Sequence, residues 1–356
     1  MSHYIDNPID TLFIRTESRT VFEVVRRIEQ EIFKTSPDFQ RNFIWSEVER
    51  SKLIESALMR IPLPVIYMAE NQNGNVVVVD GKQRLSTFFS FIKNEFAICG
   101  LDRNKGLNGK YFDDLHPTLR NRIEDTQLII YTLDYKIDEA VRLDIFERVN
   151  SGRPISRQEM RNCLYTGDAT RLTIELSQNS KFQKILGDFF DVNKEKSISS
   201  DKRAIVEPML DRLYANRFIS FYCLGHNKYN QDNMMDVYLS DGLKHINSNQ
   251  ELYDKVKRAF SRSMANCYNV FGVNAFRKIT PTRKGPINIS LFDVISIVFA
   301  KISTNTVREN KDEIYSTFMS LIEDKEFSKC ISSATNTSKA IKTKFMVADK
   351  YFSDYY

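Results

Sequence analysis

Asp80-Gly81-Lys82-Gln83-Arg84 is the stretch whose residue types could do chemistry together. Arginine presents a planar fork of donors and lysine a point charge, and both suit phosphate oxygens. A carboxylate at the end of a buried strand can hold a hydrated magnesium ion or orient a water. The plainer alternative is a solvated helix start with Asp80 capping the first amides, and the five residues alone favour neither.

The elements that must position this stretch flank it directly. Val76 to Val79 are four consecutive valines, the pattern of a fully buried strand. Beyond Gly81, Leu85, Phe88, Phe89 and Ile92 follow helical spacing. Strand, tight turn and helix aim several backbone N–H groups, and the positive end of the helix dipole, at one place. Lys82, Gln83 and Arg84 fall in the first turn, where cations are unfavourable unless an anion is present. A local conflict of that kind points to a functional site.

Two further loops hold candidate partners. Gln40-Arg41 lies among Phe39, Phe43 and Trp45, the only tryptophan. Amide, cation and aromatic groups together can recognise a base, although an arginine covering an aromatic face is the commoner arrangement. Asn150 follows Glu147-Arg148-Val149 at the end of a predicted helix spanning 138–149. It could bond a substrate; taken alone, ending the helix is the preferred reading. Residues 255–285 hold eight Lys or Arg and no Asp or Glu, interleaved with Phe260, Tyr268, Phe271 and Phe276. Lys257, Arg258, Arg262, Arg277 and Lys278 are the candidate nucleic-acid contacts there. The solvated side of an amphipathic helix is the slightly favoured alternative.

Composition bounds the rest. The chain has 356 residues, 42% hydrophobic and 27% charged, which fits a globular protein of two or three domains with a sizeable core. No run approaches the ~20 apolar residues of a membrane span, and the polar start carries no secretory signal. Five scattered cysteines without a CxxC pair suggest free thiols in a reducing compartment, so a cytoplasmic location is expected. A net charge of +5 permits nucleic-acid contact without demanding it. His116 and His226 lack the further ligands of a ββα-metal nuclease, and no GxxxxGK[ST] loop is present.

Three capping boxes, Thr20 with Glu23, Ser46 with Glu49 and Ser156 with Glu159, predict helix starts. Strands are predicted over 65–69 and 76–79, joined antiparallel through Asn71-Gln72-Asn73-Gly74, and over 126–135. Residues 94–115 read as a loop. Beyond 167 helical windows dominate, at 203–223, 233–246, 251–268, 288–303, 309–323 and 337–348. The expected organisation is an α+β domain over 1–167 with a small mixed sheet, then a helical domain over 168–356.

Several motifs occur in one order: Phe39-Gln40-Arg41-Asn42-Phe43-Ile44-Trp45, Lys52-Leu53-Ile54-Glu55-Ser56, Ile61-Pro62-Leu63-Pro64, Val79 to Leu85, Ile145 to Gly152, and Glu159-Met160-Arg161-Asn162. Over roughly residues 10–190 this resembles the N-terminal domain of GmrSD-type restriction enzymes. Each motif is weak alone; their joint order is specific. The resemblance implies a ParB/sulfiredoxin-like fold that binds, and in relatives hydrolyses, nucleoside triphosphates through an Asp-Gly-Gln-Gln-Arg motif. It also implies regulation of an attached or associated nuclease in defence against phage or modified DNA. Carried over by position, Asp80, Gln83 and Arg84 form the core of the site. Gln40 and Arg41 face it from the first loop, and Asn150 approaches from the third. Lys82 stands where the family has glutamine, which adds a phosphate contact and puts hydrolysis, as opposed to binding, in question. The family's frequent C-terminal His-Asn-His nuclease is not visible.

The leading expectation is therefore a magnesium-dependent NTPase or nucleotide sensor acting with DNA or a separately encoded nuclease partner, with Asp80 as the metal ligand. The alternative is a non-enzymatic DNA-binding or adaptor protein on the same scaffold. No membrane partner is expected, and a homo-oligomer is left open.

Overall fold

The computed structural model describes residues 14–34, 45–70, 76–137, 141–142, 144–145, 156–165, 167–187, 209–230, 235–280, 283–333 and 335–356. The chain divides into two compact units, residues 1–155 with 162–164, and residues 156–161 with 165–356.

The first unit is α+β. Its elements are β1 (Ile14–Thr20), α1 (Val21–Glu29), β2 (Phe33–Lys34), α2 (Glu47–Leu58), β3 (Ile66–Glu70), β4 (Val76–Asp80), α3 (Lys82–Ile92), α4 (Pro117–Glu124) and β5 (Gln127–Leu133). The sheet runs β1-β5-β3-β4-β2. β1 with β5 and β3 with β4 are antiparallel, whereas β5 with β3 and β2 with β4 are parallel, so the sheet is mixed. A parallel β3–β5 pair needs a long crossover, and the chain from β4 through α3 and α4 supplies it.

The capping boxes predicted at Thr20 and Ser46 form, each with its hydroxyl on the third helical amide and the Glu carboxylate returning to the cap. Ile66, Met68, Val78, Leu128 and Ile130 on the sheet pack with Val24, Ile54, Leu85, Phe88, Phe91 and Ile123 from the helices. The 94–115 connection is irregular as expected, but it feeds the core with Phe96, Ile98, Leu101, Phe112 and Leu115. The sequence reading missed β1. Its residues Ile-Arg-Thr-Glu-Ser-Arg-Thr are mostly exposed at the sheet edge, so no hydrophobic alternation marks them. The turn predicted at 71–74 lies outside the described residues.

The second unit is helical. It contains α5 (Arg157–Leu164, its last three residues counted with the first unit), α6 (Asp168–Ser177), α7 (Ser180–Leu186), α8 (Leu210–Leu224), α9 (Met235–Asn247) and α10 (Glu251–Phe271). A hairpin of β6 (Arg277–Thr280) and β7 (Arg283–Ile287) follows. The remaining helices are α11 (Ile289–Lys301), α12 (Thr304–Glu309), α13 (Lys311–Glu323), α14 (Lys325–Cys330) and α15 (Ser338–Phe352). The Ser156–Glu159 capping box opens α5.

Every residue of α11 from Ser290 to Ala300 is buried, the signature of a core helix rather than a surface one. It carries one charge inward. Asp293 receives Arg217 in a bidentate pair, both bonds 2.6 Å, and Lys344 Nζ at 3.2 Å. All three side chains are buried, so two cations share one carboxylate. No helix among the described residues is long and apolar enough to cross a membrane.

Candidate functional site

β4 ends on Asp80, and its pairing there is irregular. Met68 pairs with Val78 and Tyr67 with Asp80, so Val79 is the extra residue of a bulge. A bulge re-aims the side chains that follow it and is common beside functional sites. Here it sets Asp80 opposite Tyr67, not on the alternation of the valines. Tyr67 in turn lies ring to ring with Tyr131, centroids 5.4 Å apart. Burial pushes the Tyr67 hydroxyl pKa up, helped by Tyr131 and then Asp80.

Gly81 makes the turn. Its φ is +93°, and an added Cβ would collide with Ile66 Cδ1. The left-handed backbone favours glycine, and a side chain here would also have to displace the end of Ile66. Gly81 is also the N-cap of α3, which has no side-chain cap and no acidic residue in its first turn. This contrasts with α1, α2 and α5, each started by a complete capping box. Lys82 and Gln83 are half-buried at this start, and the Gln83 carbonyl receives Thr87 Oγ1 at 2.8 Å.

The cationic first turn has an internal answer. Arg84 Nη2 donates to Asp80 Oδ2 at 2.8 Å, and Arg84 Nη1 donates to the Pro64 carbonyl. The side chains are 11% and 31% exposed. Burial lowers the guanidinium pKa and Asp80 opposes that shift. One alternative is corrected by this geometry: Asp80 does not cap the helix amides, since α3 has no side-chain cap and the Asp80 carboxylate pairs with Arg84. Among the described residues no group of three or more His, Cys, Asp or Glu could hold a metal. Magnesium commonly enters on phosphates with only one or two protein carboxylates, and Asp80 is the carboxylate at this turn.

The structure thus brings Asp80, Lys82, Gln83 and Arg84 to one turn. Gln40, Arg41 and Asn150 lie outside the described residues. Trp45 packs half-buried against the core of the first unit. The Pro64 acceptor and the Tyr67–Tyr131 pair went unnoticed in the sequence. The first is a backbone group and the second depends on strand register, so neither has a local signal.

The 255–285 reading needs correction. Phe260, Phe271 and Phe276 are buried in the helical core and Tyr268 packs against it, so the aromatic residues do not interleave with the cations on one surface. Arg277 is buried and donates to the Ile185 and Val273 carbonyls at 3.1 and 3.2 Å. Arg262 donates to the Ala300 carbonyl, Lys278 to Ser332 Oγ at 2.6 Å, and Lys257 pairs with Glu175 at 2.7 Å. Lys255, Lys257, Arg258 and Arg262 form the exposed side of α10. The physical reason is the helix period, which sends aromatics inward and cations outward.

Residues 21–166, from α1 through α5, match the family described as "GmrSD restriction endonuclease, N-terminal domain". The matched segment is less than half of the 356 residues. No curated protein matches the chain.

Proposed function

From the premise that residues 21–166 are a GmrSD-type N-terminal domain, a module of restriction-type defence, we propose that the β4–Gly81–α3 turn binds the phosphates of a nucleoside triphosphate and so regulates a DNA-targeting activity. The observation that carries this reading is the left-handed Gly81 ahead of an α3 start without side-chain cap or acidic residue. Backbone amides and the helix dipole suit an anion there, and Lys82 adds a charge. Arg84 is oriented in advance by Asp80 and Pro64. Its fork can take phosphate oxygens while the pair holds it, or exchange Asp80 for them. Gln83 would position a phosphate oxygen or a water. Magnesium would arrive with the triphosphate, and hydrolysis is a further step beyond binding. A nuclease, attached or separately encoded, is the partner class that the family resemblance implies.

Thermal shift of the full chain against ATP, GTP, CTP and UTP, with and without magnesium, is the direct test. A bound triphosphate raises the melting temperature by mass action. Arg84→Ala or Lys82→Ala should weaken binding at least tenfold, about 1.4 kcal/mol. The reading fails when all four nucleotides leave the melting temperature unchanged at millimolar concentration. Phosphate release, measured separately, decides between sensor and NTPase.

A further inference from the structure

The helical unit holds an open cavity of about 660 Å³, lined among others by His226, Ser338, Lys339, Lys342, Thr343 and Met346. His226 sits in a short 3-10 turn, His226–Lys228, that follows α8. The other five residues lie on the first turns of α15. Lys339 and Lys342 are exposed and three apart, hence on one face of the helix. Among the described residues neither forms an ion pair. The carboxylate that acts on His226 is Asp349, and it is already tied to Lys301 at 2.7 Å and receives the Tyr356 hydroxyl. The cavity rim is therefore positively charged.

The ring chemistry is the second feature. His226 lies flat on Phe345, centroids 4.7 Å apart and planes at 7°. Phe345 is buried in the core, so the imidazole rests on a fixed support. Held on Phe345, His226 also lines the cavity. Burial lowers its pKa, with Lys301 and Lys342 acting the same way against Asp349, so at neutral pH the ring is an uncharged stacking surface. Met346, 61% exposed, adds apolar area beside it. The first amides of α15 are not what recommends the place, since Thr337 Oγ1 takes the Ala340 N–H.

We propose that this cavity binds a single-stranded nucleic-acid segment, with Lys339 and Lys342 on its phosphates and the His226–Phe345 stack beneath a base. Cations along a groove together with a planar ring are the combined grip of single-strand binders. Lysine supplies point charges for phosphate, and among the described residues that line the cavity there is no arginine fork of the kind that reads carboxylates bidentately. The site lies apart in sequence from the Asp80–Arg84 turn and does not depend on what that turn binds.

The test uses the full chain and a fluorescein-labelled oligothymidylate of about twelve nucleotides, a length within single-strand site sizes, read by anisotropy. The double variant Lys339→Glu/Lys342→Glu should lose at least about tenfold in affinity. Its slope of log affinity against log salt should fall by about 1.4, two phosphate contacts at about 0.7 each. His226→Ala should weaken binding about fivefold or more, as loss of one stacked base does. Lys339→Arg/Lys342→Arg should keep most of the affinity, and Arg308→Glu on α12, an exposed position outside every candidate contact, should change it less than twofold. Unchanged binding by the double charge reversal, or equal damage from Arg308→Glu, overturns the site. Displacement of the oligonucleotide by sub-millimolar AMP overturns the strand assignment in favour of a free nucleotide. All the exchanged side chains are exposed or half-buried, so the core is left intact.

Discussion

Arg84 has two acceptors before any ligand arrives, and that fact divides the roles at the turn. The Asp80 carboxylate compensates a charge the helix dipole would otherwise repel. Asp80→Asn should cost about 1 kcal/mol in urea unfolding, the modest figure that a partly solvated pair allows. Its effect on ligand is more telling. With the carboxylate gone, magnesium-free triphosphate should bind at least as tightly as to the parent, because a repelling charge has been removed. A collapse of binding in that variant would instead make Asp80 a metal ligand. Gly81→Ala should cost more, about 1–3 kcal/mol for the left-handed backbone alone, with the Ile66 collision added. A urea midpoint equal to the parent's would show that the turn adapts freely.

At the scale of the element, the capped starts of α1 and α2 contrast with the uncapped start of α3. α2 begins with Ser46 Oγ on the Glu49 amide, and the Glu49 carboxylate returns to Ser46 N at 2.7 Å. Ser46→Ala should therefore destabilise the first unit by about 1 kcal/mol, visible as a lower denaturant midpoint with unchanged slope. α3 has no such device, and its start is left to backbone geometry alone. The bulge in the β3–β4 pairing belongs to the same design, since a regular ladder would have set residue 80 on the valine alternation. Among the described residues of the first unit, α1, α2 and α4 have side-chain caps, whereas α3 has none and follows the irregular end of β4.

Across the helical unit, stability turns on the buried group of Arg217, Asp293 and Lys344. One carboxylate answers two cations, so removing it leaves both uncompensated. Asp293→Asn should cost about 3–5 kcal/mol, whereas Lys344→Met should be neutral or stabilising. Burial lowers the Lys344 pKa from 10.5, Asp293 opposing. The unfolded chain then holds a proton that the folded chain has lost, between the folded value and 10.5, so stability should rise with pH in that window. Chemical unfolding at several alkaline pH values should show that gain in the parent and a smaller one in Lys344→Met. The carboxylate works in the opposite pH region. The Asp293 pKa lies below 3.8, held there by Arg217 and Lys344 against burial, so its contribution is present above that value and lost as acid protonates it.

Local patterns carried much of the frame. The boxes at Thr20, Ser46 and Ser156, the valine strand, the glycine turn and the start of α3 depend on neighbours a few residues apart. Such signals survive in a sequence because helix caps and strand burial are short-range physics. The edge strand β1 was hidden because its partner, not its own hydrophobicity, makes it a strand. Even the Asp80–Arg84 spacing was visible, four residues apart, yet the bulge and the Pro64 carbonyl decided that the two would meet. In the same way 255–285 looked like one basic, aromatic surface until packing sent its rings inward. Residue types and short spacings were written in the chain; which groups face one another was settled by the pairing of distant segments, because contact energies depend on three-dimensional neighbours that no single stretch contains.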